Sequence, residues 1–328
     1  MINISLPFCL FLSKLPVWFS WDPLLPYFTA ALLLALGVGV AIQKAPPRAG
    51  VLEKIILCGP VFIAMPMAVF GTQHFLFPIG VARIIPSWIP AHAFWVYFVG
   101  TCLILGSVSI VFQKYAWLSV GLFGAMLLCF EVLMHIPGVV AAPHDRLTWA
   151  VALRDISFSC GALSFAAMQA GGYRIKKMYW VIPATRMVVA IVLLVWAVEY
   201  FLHPELLPGV PLRQLTPSFV PGLVVWGYLT SAIYAVCGVC LLINKSTYLA
   251  ATWVGLFVLL STIMFCGPIM VQNGSNIGAG LNVVVDTLLL SGAMLCLAGR
   301  CAQSEERAIM NERSYEQETS RPLAQDQR

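Results

Sequence analysis

Charge is what this chain has little of. Only 10% of its 328 residues are Asp, Glu, Lys or Arg, and 60% are hydrophobic. Soluble domains carry roughly a quarter charged residues, so water is not the main solvent of this protein. Short alternating strands are also missing. The apolar runs are continuous, which argues against a membrane β-barrel and for helices, since in lipid every backbone polar group must be paired internally. There is no nucleotide-binding loop, nucleophile elbow, haem-attachment motif or H-E-x-x-H. Residues 1–21 lack a basic start, a clean apolar run and a small-residue cleavage site, so they do not read as a signal peptide. Trp18, Phe19 and Trp21 point instead to an interfacial segment.

What the chain does have is nine apolar stretches, at about 24–42, 52–72, 92–112, 116–136, 147–170, 181–202, 222–243, 248–272 and 278–299. The expected fold is an all-α polytopic transmembrane helix bundle with short connections. From Arg300 to Arg328 the composition changes abruptly to alternating charges, which reads as a solvated tail. Nine spans put the two termini on opposite sides. The tail side, face A, holds 14 of the 19 basic residues and face B holds Lys14, Arg83, Arg146, Arg154 and Arg213. The positive-inside rule makes face A cytoplasmic and the N-terminus external. The net charge of +5 then reflects topology and requires no nucleic-acid partner. The partner it does imply is the lipid bilayer.

The ten cysteines do not read as a disulfide framework. Most lie inside spans, where Cys behaves as a small hydrophobe. Cys237 and Cys240 form a C-x-x-C, but no basic neighbour lowers a thiol pKa there.

The chain is written twice. Pro86-Ser87-Trp88-Ile89-Pro90 recurs as Pro217-Ser218-Phe219-Val220-Pro221, and Lys114, Pro137, Asp155 and Gly161 match Lys245, Pro268, Asp286 and Gly292, all 131 residues later. Upstream, Phe75-Leu76-Phe77-Pro78 matches Phe201-Leu202-His203-Pro204 at an offset of 126, so five residues are inserted in the first loop of the second copy. The expected organisation is an N-terminal segment and extra helix (1–50), a four-helix unit (51–178), a second, degenerate four-helix unit (179–300) and a tail (301–328). Four spans return the chain to its starting side, so the two units are parallel repeats about an axis along the membrane normal.

All five histidines fall near face B. In the first copy His74 ends one span and His92 begins the next. Glu131 and His135 sit four residues apart, on one helix face. Arg83 and Arg146 lie in or beside connections, and Arg154 and Asp155 sit about two turns inside a span. Most matching positions in the second copy are neutral: Tyr200, Leu223, Cys266 and Val285 replace His74, His92, His135 and Arg154. Ionisable groups inside a span are costly and usually paired or functional. We therefore read His74, His92, His135 and Asp155 as candidate catalytic groups, and Arg83, Arg146, Arg154 and Glu131 as candidate substrate-binding groups. Arg154 and Asp155 point about 100° apart on a helix and are expected to pair with other groups, not with each other. Asp286 has no matched basic partner, so its exchange for Asn is expected to be tolerated. For His144 and His203, anchoring at the membrane interface is the plainer reading. No metal set is assigned, although His is a common metal ligand and a haem between His74 and His135 is a further alternative that no spacing specifies.

The segment QHFLFPIGVARIIPSWIPAHAFWVYFVG and the later HIPGVVAAPHDRLTWAVALRD resemble the DoxX family of small four-helix membrane proteins. The residues that carry the resemblance are His74, Phe75, Pro78, Pro86, Trp88, Ile89, Pro90, His92, Trp95, His135, Pro137, Asp145, Arg146 and Trp149. It covers about residues 55–170, and more weakly about 185–299. A chain of two such units departs from the family's usual length. The resemblance implies a link to quinone-coupled sulfur oxidation or to membrane redox-defence complexes, with a quinone as the implied cofactor and a redox enzyme subunit as the implied partner. On that basis the leading expectation is a quinone-linked redox subunit, or accessory component, of a bacterial inner-membrane oxidoreductase. The alternatives are a non-catalytic scaffold for a membrane complex and a small-solute transporter.

Overall fold

The computed structural model describes residues 24–171, 180–274 and 276–299. Among these, nine helices are long and apolar enough to cross a membrane: α1 (Leu24–Gln43), α2 (Val51–Leu76), α3 (His92–Val111), α4 (Ala116–Ala141), α5 (Arg146–Gly171), α6 (Val181–Leu202), α7 (Leu223–Leu242), α8 (Thr247–Gln272) and α9 (Leu281–Gly299). No strand occurs among the described residues. The protein is an all-α integral membrane bundle, and the helix bounds follow the apolar stretches to within a few residues. The interfacial segment and charged tail expected from the sequence lie outside the described residues.

Three helices form the centre. In their most apolar stretches 72% of α2 and α5 and 83% of α9 is buried inside the bundle, against 28% of α1 and α4. The outer helices present Leu, Val, Ile and Phe outward, as lipid-facing surfaces do. The central helices meet through small residues. A side chain built on Gly161 would overlap the backbone of Ala293, and one built on Gly292 would stand 2.8 Å from the carbonyl oxygen of Gly59. Hydroxyls fasten the central helices to their neighbours. Ser159 donates to Gly124 O (2.7 Å) on α4, and Ser291 donates to Gly255 O (2.8 Å) on α8.

Backbone irregularities recur at the spacing of the sequence matches. Wide turns of π-helix interrupt α4 at Glu131–His135 and α8 at Thr262–Cys266. Left-handed residues Ala91, Gln113 and Tyr115 are matched by Gly222, Asn244 and Ser246. Each pair is 131 residues apart.

The connections are not all short. Residues 112–115 and 243–246 are tight links, but 77–91 and 203–222 are long. The second long one folds back into the bundle. Leu207 N donates to Gln214 O (3.0 Å) and Thr216 N to Glu205 O (2.9 Å), closing a hairpin whose tip, residues 206–211, is buried. Tyr200 and Tyr234 donate their hydroxyls to Leu207 O (2.7 Å) and Gly209 O (2.6 Å). Gly209 has φ +126°, and a Cβ there would stand 2.9 Å from Thr287, so only glycine fits. Irregular backbone at this depth is tolerated because protein surrounds it and fills its hydrogen bonds. The shorter connection 77–91 stays outside, with Ile79, Ile84 and Trp88 exposed.

Candidate functional site

The π-turn in α4 builds the site. Pro137 has no N–H for the carbonyl four residues back, which loosens the ladder where the extra residue enters. Pro268 stands in the same relation to the second turn. Such turns often re-aim side chains at functional positions. Here the turn carries Glu131, only 6% exposed, and His135.

His135 donates from Nε2 to Asp155 Oδ2 at 2.9 Å. Asp155 Oδ1 accepts from Arg154 Nε at 2.7 Å. Arg154 Nη1 continues to both oxygens of Asp286 on α9, at 3.2 and 3.3 Å, and the guanidinium stands 5.9 Å from the centre of the Phe158 ring. Imidazole, carboxylate, guanidinium and carboxylate thus form one chain through α4, α5 and α9. Glu131 lies within electrostatic range of His135 and Asp155, yet its Oε2 has no hydrogen-bond partner. At the matching turn of α8 the polar groups are neutral. Thr262 bonds its own helix at Val258 O, and Cys266 Sγ accepts from Thr287 at 3.5 Å.

Two expectations are corrected here. Arg154 and Asp155 do pair with each other, because the long arginine side chain curls back past the angle between the two Cα–Cβ bonds. Asp286 does have a basic partner, supplied by Arg154 from the other half of the chain. Asp286 was therefore underestimated as a site residue. The signal available was an acid inside an apolar span at the offset of Asp155.

The other candidates make separate contacts. His74 donates from Nδ1 to Phe70 O on its own helix (2.7 Å), and His92 donates from Nε2 to Pro86 O (3.2 Å). Arg83 is exposed. Arg146 crosses from α5 to the second half of the chain, donating to Glu199 Oε1 (2.9 Å), Pro211 O (3.0 Å) and Leu212 O (2.7 Å). Glu199 is the second residue missed as a site member. His203 lies 3.5 Å from Glu205. Asp145 caps α5 by accepting from Thr148 N (2.9 Å) and from the Thr148 hydroxyl. These bonds from Thr148 hold the exposed Asp145 carboxyl below its ordinary pKa. Among the described residues Cys237 and Cys240 are free thiols, and no group of three His, Cys, Asp or Glu side chains is placed to hold a metal.

Comparison with known proteins adds no relative: no family model, curated protein or solved structure matches this chain.

Proposed function

We propose that the protein is a proton-handling subunit of a membrane redox complex, with Glu131 and His135 as the groups that exchange the proton at face B. The single observation that carries this reading is the buried carboxyl of Glu131, with one oxygen unpartnered, beside the chain from His135 to Asp286.

Charge balance supports it. Asp155 and Asp286 bind the one guanidinium of Arg154, and Glu131 adds a third carboxyl beside Asp155. Two negative charges are left over, and desolvated net charge is strongly unfavourable. Two protons shared among Glu131, His135, Asp155 and Asp286 restore neutrality. Such sites titrate as a set, and a proton that moves between Glu131 and His135 leaves the total unchanged.

The remaining parts of the reading rest on the sequence. The chain is two parallel DoxX-like four-helix units with an added helix. It sits in a bacterial inner membrane with the tail inside, as the basic residues indicate. The proton partner is a quinone or a redox enzyme subunit, as the DoxX resemblance implies.

The test is infrared difference spectroscopy between two pH values on the purified protein in liposomes. The expected result is a protonated-carboxyl band that changes with pH and disappears in Glu131→Gln. A band unaltered by that substitution, in a protein that still inserts and folds, overturns the assignment. Extracting bound quinone and recording the absorption spectrum of the same preparation separates a redox subunit from a scaffold.

A further inference from the structure

A cleft of about 240 Å³ opens between α5 and α6 at face B, on the seam between the two halves of the chain. Trp149 and Leu153 form one wall and Val195 and Trp196 the other, with Arg146 and Glu199 at its mouth. This is a different place from the Glu131–His135 site, and its chemistry is that of an amphiphile.

The mouth is polar in a particular way. Arg146 uses both Nη1 protons and one Nη2 proton on Glu199, Pro211 O and Leu212 O. Both side chains are partly exposed, 34% for Arg146 and 22% for Glu199, and both line the cleft. A cation and an anion, already paired, stand together there. A purely anionic head would meet the Glu199 carboxylate, and a purely cationic head would meet Arg146. A zwitterion satisfies both.

The interior is apolar. Trp196 is 1% exposed and packs against Tyr234, so it closes the floor of the cleft. It lies three residues, about 4.5 Å, deeper than Glu199 along α6. Beyond the cleft Met187, Ile191, Val195 and Val198 are exposed at spacings of three and four, so they form one apolar stripe along α6, a track for an acyl chain.

We propose that this cleft binds a glycerophospholipid with a primary-ammonium zwitterionic head. The phosphate sits on Arg146 and the ammonium donates to Glu199. The lipid joins the two halves of the bundle at face B.

Native mass spectrometry of the delipidated full-length protein tests this, with phosphatidylethanolamine, phosphatidylcholine and phosphatidylglycerol supplied in equal amounts. Loss of one charge-assisted hydrogen bond corresponds to about tenfold in affinity. Phosphatidylethanolamine should therefore be retained about tenfold over phosphatidylcholine, whose quaternary nitrogen has no proton to give. Glu199→Gln, which keeps an acceptor for Arg146 but removes the charge, should abolish that preference. Equal retention of the two zwitterions, or preference for phosphatidylglycerol, overturns the proposal, and neither result depends on a variant.

Discussion

Arg154 holds two acids with one guanidinium, and removing it should be far worse than removing either acid. In Arg154→Leu, Asp155 keeps its bond from His135 at 2.9 Å. Asp286 keeps no partner among the described residues, because its two hydrogen bonds there both come from Arg154, and it is only 7% exposed. Stranding one partner of a buried ion pair costs about 3–5 kcal/mol. The bonds are long, and the added leucine packs near Phe158, so the lower end, about 3 kcal/mol, is expected. Asp286→Leu leaves Arg154 paired with Asp155 and should cost about 1 kcal/mol. The double variant removes the need for compensation. Replacing a buried pair by apolar groups is often nearly neutral, so it should fall within about 1 kcal/mol of the parent.

Equilibrium unfolding of all four proteins in mixed micelles, read as a double-mutant cycle, measures the difference. The coupling energy should be at least about 2 kcal/mol. Additive losses, with coupling under about 0.5 kcal/mol, would refute the reasoning and mean that Asp286 is satisfied by something other than Arg154. Read from the sequence alone, Asp286 looks dispensable. Its partner comes from 132 positions away, and the cycle measures that link directly.

Two further outcomes follow from the same geometry. Tyr200→Phe leaves Leu207 O without its donor and should cost about 1–3 kcal/mol, with faster amide hydrogen exchange across residues 205–216 as the local sign. Asp145 gives a pH dependence. Its folded pKa is depressed by Thr148, so its contribution is complete above the ordinary carboxylate range and is lost as pH falls through the depressed value. Exchange at the first turn of α5 should rise in that acid window, and Asp145→Ala should show the faster exchange at neutral pH.

The sequence carried the helices because spanning lipid demands long apolar runs, and such runs leave little room for another reading. It also carried the offset of 131 that separates Asp155 from Asp286. It did not carry the reach of Arg154. A helical wheel places Cα–Cβ bonds, and an arginine head group lies far enough from its Cβ to meet a neighbour the wheel assigns to another face. Nor did it say which spans touch, so Asp286 and Glu199 could not be given their arginines. Pro137 and Pro268 stand in plain view, but a proline in a span is met by a kink, a break or a wide turn, and composition does not choose among them. The connection before Pro217 is longer than the one before Pro86. Its burial was not legible, because a loop entering the bundle depends on Tyr200 and Tyr234 offering hydroxyls from two different helices.

On the two-unit reading, the asymmetry between the halves has a physical reason. Asp155 and Asp286 hold equivalent positions, and both are within hydrogen-bond reach of one guanidinium, so both lie close to the pseudo-two-fold axis. A group that near an axis meets its own counterpart. An arginine at Val285, matching Arg154, would bring two guanidiniums into the same buried space, with repulsion in place of compensation. One unit must therefore supply the cation and the other must leave room for it, and Val285 is fully buried. The same logic covers the periphery of the second unit. Having no counterpart of His135 or Glu131, it fills the space beside Tyr200 and Thr287 with its own buried hairpin, and the backbone carbonyls of Leu207 and Gly209 take the hydrogen bonds. Among the described residues the first unit has no such filling, and Glu131 Oε2 has no partner there. Inserting residues 205–216 in place of the matching part of the first connection should therefore abolish the pH-dependent carboxyl signal of Glu131 while leaving Arg154 and Asp286 paired.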